Sequence, residues 1–159
     1  AIASKLGYSV SKGEFTEKSK DGFSGDYGKY SGSSEKITWL VSSYTSGSSC
    51  DNFQRPESTL VYDESLLNTY SPYDIFVGGP TPLVTITNPL VTTGKRLVIF
   101  RDSFGSSLAP LLLSGYSEIT LVDIRYMVSD LLPQYVDSTG ADVLFIYSAR
   151  VVNNSSMLR

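Results

Sequence analysis

The chain has 159 residues, of which 41% are hydrophobic and 18% are charged, and its formal net charge is -3. This length suffices for one domain with a sizeable core, and the composition excludes an intrinsically disordered chain, which would be poor in apolar residues. Nucleic acid is not an expected partner, because phosphate binding needs a clustered basic surface. The densest basic run, Lys18 to Lys20, is interpreted as a solvated loop.

Features that are missing from the sequence limit the possible kinds of site and of membrane association. No apolar stretch approaches the roughly 20 residues that cross a bilayer, and the first residues lack the basic start and apolar centre of a signal peptide. The single cysteine, Cys50, excludes an intrachain disulfide and is interpreted as a buried or tolerated thiol. Because the chain contains no histidine, a Cys-His nucleophile pair is excluded as well.

The first 94 residues predict short strands separated by turns. Ala1 to Tyr8 fits the tail of a helix, and a short helical turn is expected after Asp63. Apolar or β-branched runs bounded by Gly, Ser, Asn and Pro are typical of strands. Three such runs are present, at residues 36–41, 59–62 and 82–87.

Residues 95–148 predict a different arrangement, in which three apolar strands alternate with two helices. The strands are expected at residues 96–100, 118–122 and 142–147, and the helices at 105–114 and 128–138. Apolar strands that alternate with helices are typical of a parallel sheet that is buried on both faces and has right-handed crossovers. The sequence therefore predicts a β-α-β-α-β unit of the α/β class.

Polar residues follow each of these three strands. They are Asp102 and Ser103 after the first strand, Asp123 and Arg125 after the second, and Ser148 and Arg150 after the third. In open parallel sheets, ligands bind outside the carboxyl ends of the strands. The chain order alone thus brings these residues to one edge, where a site is expected.

Ser103 lies in the expected turn between the first strand and the following helix. Its hydroxyl would project from the top of the sheet, and the amides of Phe104 and Gly105 would point at a bound oxyanion, as in a nucleophile elbow. Its neighbour Asp102 is expected to point away from the serine and to hold the loop by hydrogen bonds. The spacing leaves a second interpretation open, in which Ser103 or Ser106 only caps the helix.

Other candidate residues each have two interpretations. Arg125 could bind an anionic substrate group through its planar guanidinium or form a local ion pair with Asp123. Gly79 could offer its amide to an oxyanion, or belong to an ordinary turn, since Pro80 removes one donor. Asp102 and Asp123 also suggest a rival Mg²⁺-dependent phosphoryl-transfer site, but no Walker-type phosphate loop and no Asp-x-Asp pair accompanies them.

Several segments resemble the DHHW-motif proteins of Gram-positive bacteria, which are similar to the SGNH-hydrolase-like O-acetyltransferases of alginate and the cell wall. The matching segments are Asp102-Ser103-Phe104 after the apolar strand, Tyr116-Ser117-Glu118-Ile119, Asp123-Ile124-Arg125-Tyr126, residues 73–79 with Pro82-Leu83, and the closing residues 142–155. The resemblance covers most of the chain and is densest over residues 70–150. It implies a parallel three-layer, SGNH-hydrolase-like (flavodoxin-like) sheet in residues 95–148, preceded by a strand- and loop-rich segment.

The resemblance implies that Ser103 is a nucleophile whose base and acid belong to an Asp-x-His-Trp-type motif earlier in the sequence. The single tryptophan, Trp39, follows Thr38, and no histidine is present. Either the protein never had the motif, or the motif lies upstream of Ala1, which the start without Met favours. We therefore expect residues 1–159 to form a single domain, the carboxyl-terminal part of a larger SGNH-like protein. The chain alone should be inactive, because a serine hydroxyl needs a neighbouring base.

The resulting hypothesis is an exported bacterial acyltransferase or esterase, extracellular or at the cell surface, that acts on a carbohydrate or cell-wall polymer. Its expected nucleophile is Ser103; the oxyanion or substrate candidates are Phe104, Gly105, Gly79 and Arg125, with Asp102 and Asp123 as structural supports. Neither a metal nor a cofactor is expected. The alternative is a non-catalytic cell-surface or carbohydrate-binding module that keeps the fold, which the 11 tyrosines favour because aromatic faces stack on sugars.

Overall fold

The computed structural model describes residues 1–25, 32, 34–154, 156 and 158, whose strands form two separate sheets. The smaller sheet pairs β1 (Thr16–Phe23) with β2 (Glu35–Val41) in antiparallel orientation. The larger sheet has five strands in the order β3-β4-β6-β5-β7. These strands are β3 (Ser49–Asn52), β4 (Leu83–Thr87), β5 (Arg96–Arg101), β6 (Glu118–Val122) and β7 (Asp142–Ile146).

Short helices connect the strands. The α-helices are α1 (Ile2–Lys5), α2 (Ser43–Gly47), α3 (Ser103–Leu108), α4 (Leu132–Tyr135) and α5 (Ala149–Val152). The 3-10 helices span Lys12–Glu14, Glu64–Asn68, Pro72–Ile75, Ala109–Gly115 and Ser129–Leu131. In the part of the chain that the structure describes, none of these helices has the length and apolar character needed to cross a membrane.

The second half of the chain forms the predicted β-α-β-α-β unit. β5 lies in the middle and pairs in parallel with β6 on one side and β7 on the other, so that Ile99 lies beside both Leu121 and Leu144. The chain leaves β5 for β6 and then returns past β5 to β7. Because all three strands run in the same direction, their carboxyl ends meet at one edge of the sheet.

The larger sheet is mixed, which corrects the expectation of a parallel sheet confined to residues 95–148. β4 runs antiparallel to β6, and β3 runs antiparallel to β4. β4 joins this sheet because Val84 and Ile86 alternate on one face and pack into the same core as Ile119 and Leu121. The two halves of the chain therefore contribute strands to one sheet, although their sequences predict different arrangements of secondary structure.

The main core lies on one face of the five-stranded sheet. Alternate residues of the strands pack there against the 3-10 helix Ala109–Gly115, which contributes Leu112 and Leu113, and against Tyr116. A second cluster holds the smaller sheet to the 3-10 helices that precede β4. Its buried members are Ile37, Trp39, Leu67, Ile75 and Phe76, and Tyr73 packs against them.

Both predicted helices of the second half are shorter than expected. The segment expected at residues 105–114 forms α3 and continues as the 3-10 helix Ala109–Gly115, with Pro110 in its first turn. The segment expected at 128–138 forms a 3-10 turn and α4, which has Pro133 near its start. A proline lacks the amide that would continue the preceding helix, so each helix is divided at that point.

The predictions for the first half have mixed outcomes. The strands expected at residues 36–41 and 82–87 are confirmed as β2 and β4, and the turn after Asp63 is a 3-10 helix. The strand expected at residues 59–62 is not formed. This segment instead makes two isolated β-bridges, Ser49 with Leu60 and Tyr62 with Phe76. The basic run is part of strand β1 rather than a loop, and Lys18 pairs there with Glu64 at 2.7 Å.

The strand β7 departs from the prediction that the parallel strands are buried on both faces. On the face away from the main core, 45% of Val143 and 67% of Phe145 is exposed. Phe145 stacks on Phe100 of β5, with ring centroids 4.8 Å apart. The sheet therefore has one filled face and one face that is open at its β7 edge.

Candidate functional site

The three strand ends that were predicted to form a site are joined by polar contacts. Asp102 Oδ2, after β5, accepts a hydrogen bond from the Ser148 amide after β7 at 2.7 Å. Arg101, the last residue of β5, lies 3.7 Å from the Asp123 carboxylate after β6. The sequence prediction that these ends converge is thus correct. Arg150 is exposed, and Ser148 caps α5 by accepting from the Val151 amide.

Ser103 is the first residue of α3 and is exposed at this edge. The helix is capped by Asp102, whose Oδ1 accepts from the Phe104 amide at 3.1 Å, rather than by Ser103 or Ser106. Ser106 is buried and only 4% exposed. The capping interpretation of Ser103 therefore does not hold, and its hydroxyl is free to meet a ligand.

Tyr73, which the sequence did not single out, reaches the Ser103 turn from the 3-10 helix before β4. Its hydroxyl donates to the carbonyl oxygen of Ser103 at 2.9 Å and lies 3.1 Å from Ser107 Oγ. Burial raises the pKa of Tyr73, and the hydrogen bond with Ser107 opposes that rise. Tyr73 therefore remains a protonated donor at neutral pH.

Arg101 lies beneath the Ser103 turn and is 1% exposed. Its side chain passes directly under Gly105, where an added Cβ would lie 2.3 Å from the Arg101 Cβ. Burial lowers the pKa of Arg101, and the charge of Asp123 opposes this. Among the described residues, its Nε and Nη2 atoms are buried without a hydrogen-bond partner. The sequence offered no sign of this residue, because an arginine at the end of an apolar strand usually reaches solvent.

Arg125 forms the local ion pair that was one of its two interpretations. Its Nε and Nη2 donate to the two oxygens of Asp123 at 2.8 and 2.6 Å, and Asp123 is fully buried. The hydrogen bond with Asp123 raises the pKa of Arg125. Its guanidinium also lies over the ring of Tyr126, 5.4 Å from the centroid. Both carboxylates of the cluster are thus already bound by protein donors, which disfavours the rival magnesium site.

The three candidate oxyanion amides all donate within the protein. The Phe104 amide bonds Asp102 Oδ1, and the Gly105 amide bonds the Asp102 carbonyl at 3.1 Å. The Gly79 amide bonds the Phe76 carbonyl at 3.1 Å, in a turn where φ of Gly79 is 86°. β4 begins just after this turn, and Leu83 pairs with Val122, so Gly79 lies at the same sheet edge as Ser103. An oxyanion would have to share or displace these bonds.

The site contains no imidazole that could act as a general base. The chain contains no histidine. Tyr147, beside the charged cluster, has its pKa raised to about 12 by burial, so it stays protonated at neutral pH. Cys50 is a free, buried cysteine, as one of its interpretations predicted, and this burial raises the pKa of its thiol to about 12. No group of three or more acidic or cysteine side chains able to hold a metal is present among the described residues.

Two cavities of the molecule lie away from this edge. One of about 480 Å³ is lined by residues including Val10, Phe15 and Leu111. The other, of about 230 Å³, lies between β1 and the 3-10 helices and includes Lys20 and Asn68. Neither of these two cavities is lined by Ser103.

Comparison with known proteins gives matches in structure and none in sequence. No protein-family model matches the chain, and no curated protein matches it in sequence. A DHHW family protein from Eubacterium siraeum superposes with a TM-score of 0.77 and 19% identity, over 98% of this chain and 56% of its own. Bacillus cereus PatB1, solved with a sulfonyl adduct, superposes with a TM-score of 0.63 and 16% identity, over 96% of this chain and 51% of its own.

A second structure of Bacillus cereus PatB1 gives a TM-score of 0.59 at 15% identity, over 96% of this chain and 53% of its own. The chain therefore spans about half the length of the solved structures that it matches. The described fold is thus similar to that of part of a DHHW family protein and of part of PatB1.

Proposed function

We propose that the chain is the nucleophile-bearing, carboxyl-terminal part of an SGNH-like serine acyltransferase or esterase. The observation that carries the proposal is the position of Ser103. Ser103 is an exposed serine and the first residue of a helix. It follows the central parallel strand after one intervening residue, at the edge where three strand ends meet. Ligands of open α/β sheets bind at such an edge. The sequence resemblance to SGNH-like O-acetyltransferases supports acyl transfer as the reaction.

In the proposed reaction, Ser103 Oγ attacks the carbonyl carbon of an acyl donor while a base takes the hydroxyl proton. The donor's leaving group departs with a proton, and the acyl group remains on Oγ as an ester. A hydroxyl of the acceptor, or water in an esterase, then attacks that ester and restores the serine. The base and its orienting acid come from an Asp-x-His-type motif in polypeptide beyond these residues. The chain's span of about half of its structural neighbours supports this division.

The proposed acceptor is a carbohydrate or cell-wall polymer outside the bacterial cell. The support is the family resemblance, together with two exposed aromatic side chains at the site. Phe104, next to Ser103, is 57% exposed, and Tyr126, after β6, is 54% exposed. Exposed aromatic faces stack on sugar rings, whereas both side chains would be buried if their role were to fill a core. Secretion into the medium or cell-wall fraction of the source bacterium would test the proposed location.

A non-catalytic carbohydrate-binding module is the second candidate function. The absence of any histidine and the same exposed aromatic residues favour it. The two candidates differ in what Ser103 does. A binding module would retain sugar affinity without Ser103 and would never form a covalent intermediate, whereas the enzyme needs the Ser103 hydroxyl for every turnover.

The deciding experiment uses the complete protein and p-nitrophenyl acetate as a small acetyl ester. Ser103→Ala should abolish turnover without an appreciable change in melting temperature, because the hydroxyl is exposed and caps nothing. Ser46→Ala, at another exposed serine in a short helix, is the matched control and should keep full activity. Undiminished turnover in Ser103→Ala would refute the assignment of the nucleophile.

A second experiment uses the 159-residue chain alone, which should show no esterase activity and no labelling of Ser103 by a fluorophosphonate probe. The serine then has only Asp, Glu, Lys and Tyr as possible bases, and their ordinary pKa values lie far from 7. The sulfonyl adduct of PatB1 suggests a sulfonyl fluoride as a second probe. Stoichiometric labelling of Ser103, measured by mass spectrometry, would show that a base other than histidine operates.

A further inference from the structure

The α3 helix that carries Ser103 is too short to be stable without contacts from the rest of the molecule. It contains six residues and passes directly into a 3-10 helix. Isolated helices of this length are unstable in water, because nucleation costs more than a few hydrogen bonds return. The position of Ser103 must therefore be fixed by contacts from other elements.

Three elements supply those contacts. Asp102, at the end of β5, caps the helix through the Phe104 amide, and its other oxygen binds the Ser148 amide beyond β7. The third contact comes from Tyr73, whose hydroxyl donates to the Ser103 carbonyl at 2.9 Å. The first two contacts hold the residues on either side of Ser103. Of these three contacts, the one from Tyr73 is made to Ser103 itself.

Tyr73 is itself firmly placed. Its ring lies 4.9 Å from that of Phe76 and 6.5 Å from that of Phe23 in β1, measured between centroids. It packs against the second apolar cluster, which includes the buried residues Ile75 and Trp39. The tyrosine thus connects the Ser103 turn to the smaller sheet, a part of the molecule that is distant in sequence.

We infer that Tyr73 is a positioning residue for Ser103, acting through the serine's carbonyl oxygen; as a catalytic role, this rests on the proposed function. The hydroxyl fixes the first turn of α3, and with it the direction in which Ser103 Oγ leaves the helix. Small displacements of a nucleophile reduce the rate of attack far more than they reduce substrate binding. The second apolar cluster, which includes residues of the smaller sheet, therefore contacts α3 through the Tyr73 hydroxyl, at Ser103 and at Ser107.

The first test needs no enzymatic activity and uses the 159-residue chain. Tyr73→Phe removes the hydroxyl and leaves the ring packed against Phe76. Hydrogen exchange of the amides in α3, followed by NMR, should become about two- to tenfold faster, as expected for the loss of one hydrogen bond. Tyr70→Phe is the control, since Tyr70 is 105% exposed, and should leave the exchange unchanged. Unchanged exchange in Tyr73→Phe would overturn the inference.

Ser107→Ala separates the two contacts of Tyr73. This variant removes the Ser107 Oγ contact and keeps the bond to the Ser103 carbonyl. Exchange in Ser107→Ala should stay within about twofold of the parent chain. If amide exchange in Ser107→Ala were accelerated as much as in Tyr73→Phe, Tyr73 would stabilise α3 through Ser107. The assignment to the Ser103 carbonyl would then be wrong.

The second test measures esterase kinetics of the complete protein. Tyr73→Phe should lower kcat about tenfold and change KM by less than about twofold, with an unaltered pH profile, because the phenol neither binds substrate nor transfers a proton. A purely structural role would lower the melting temperature and leave kcat of the folded fraction unchanged. Normal kcat in Tyr73→Phe beside an inactive Ser103→Ala refutes the positioning role alone. Activity in Ser103→Ala refutes the proposed function. The hydrogen-exchange result then decides by itself whether Tyr73 holds the first turn of α3.

Discussion

β6 and β7 have the same kind of sequence in opposite surroundings. Each has five residues, beginning with an acidic residue and followed by mainly apolar ones. β6 lies between β4 and β5 and buries Leu121 and Val122 completely, whereas β7 lies at the edge and leaves 67% of Phe145 exposed. An apolar run thus predicts that a strand forms, but the neighbours that cover the strand come from elsewhere in the chain.

The two edges of the five-stranded sheet differ in the same way. At the β3 edge, Cys50 and Asn52 are 6% and 1% exposed, and Leu60 bridges to Ser49 from outside. At the β7 edge, the strand has neither a lysine, a proline nor a bulge in its register with β5. Proteins commonly protect edge strands with such features because bare edges pair with other chains. Apart from the exposed Asp142 at its start, β7 lacks these features in the described structure.

The largest expected effect lies at the centre of the sheet. Leu121→Ala removes a fully buried side chain from the main core and should lower the free energy of unfolding by about 2–5 kcal/mol. Urea unfolding followed by circular dichroism measures the change. A loss below about 1 kcal/mol would mean that β6 is packed no better than β7, and the contrast between the strands would fail.

The next effect concerns the connection between β5 and β7. Asp102→Ala removes the cap of α3 and the acceptor of the Ser148 amide, and should cost about 1–3 kcal/mol. Hydrogen exchange at the carboxyl end of β7 should accelerate together with that of α3. Acceleration in α3 alone would show that β7 is held by its pairing with β5 and not by Asp102.

A pH dependence of stability is expected from Cys50 at the β3 edge of the sheet. Burial raises the pKa of the Cys50 thiol from the ordinary value of 9.0 to about 12, so the unfolded chain releases this proton first. The associated stability is complete below pH 9 and is lost as the pH rises from about 9 to about 12. The free energy of unfolding, measured by denaturation at several pH values across this range, should fall less steeply with pH in Cys50→Ala than in the parent chain. Equal slopes in the two proteins would contradict the burial of the thiol.

The smallest effect is expected at the open edge. Phe145→Ala removes a side chain that is 67% exposed and should change the free energy of unfolding by less than about 1 kcal/mol. Light scattering at high concentration should show no more self-association than in the parent chain. A cost comparable to that of Leu121→Ala would mean that a partner, such as a second copy, covers β7 in solution.

The sequence was most informative where structure depends on neighbouring residues. Residues 118–122 form a strand at the predicted bounds, because apolar and β-branched residues continue unbroken between turns. The position of Ser103 followed from the order of strand, turn and helix. The helices were overestimated because Pro110 and Pro133 lie within otherwise helical patterns. The mixed sheet was missed because the direction of β4 depends on its pairing with β6, which no local pattern contains.

The parts of the site that were missed depend on contacts between distant residues. Tyr73 is separated from Ser103 by 30 positions, and although it begins a segment that resembles the DHHW-motif proteins, nothing in that segment shows that its hydroxyl reaches Ser103. Arg101 was passed over because its burial follows from the fold of α3 above it. The capping role of Asp102 was within reach, since aspartate is a preferred cap and precedes the helix directly.

The packing of Gly105 on Arg101 restricts how this sequence can vary. Even an alanine at position 105 would bring its methyl group within 2.3 Å of the arginine's Cβ, an atom that cannot move without the strand that bears it. The helix would have to rise from the sheet and carry Ser103 with it. Homologues that keep this geometry should therefore retain glycine at position 105. A homologue with a larger residue at position 105 should have its serine displaced from the position of Ser103.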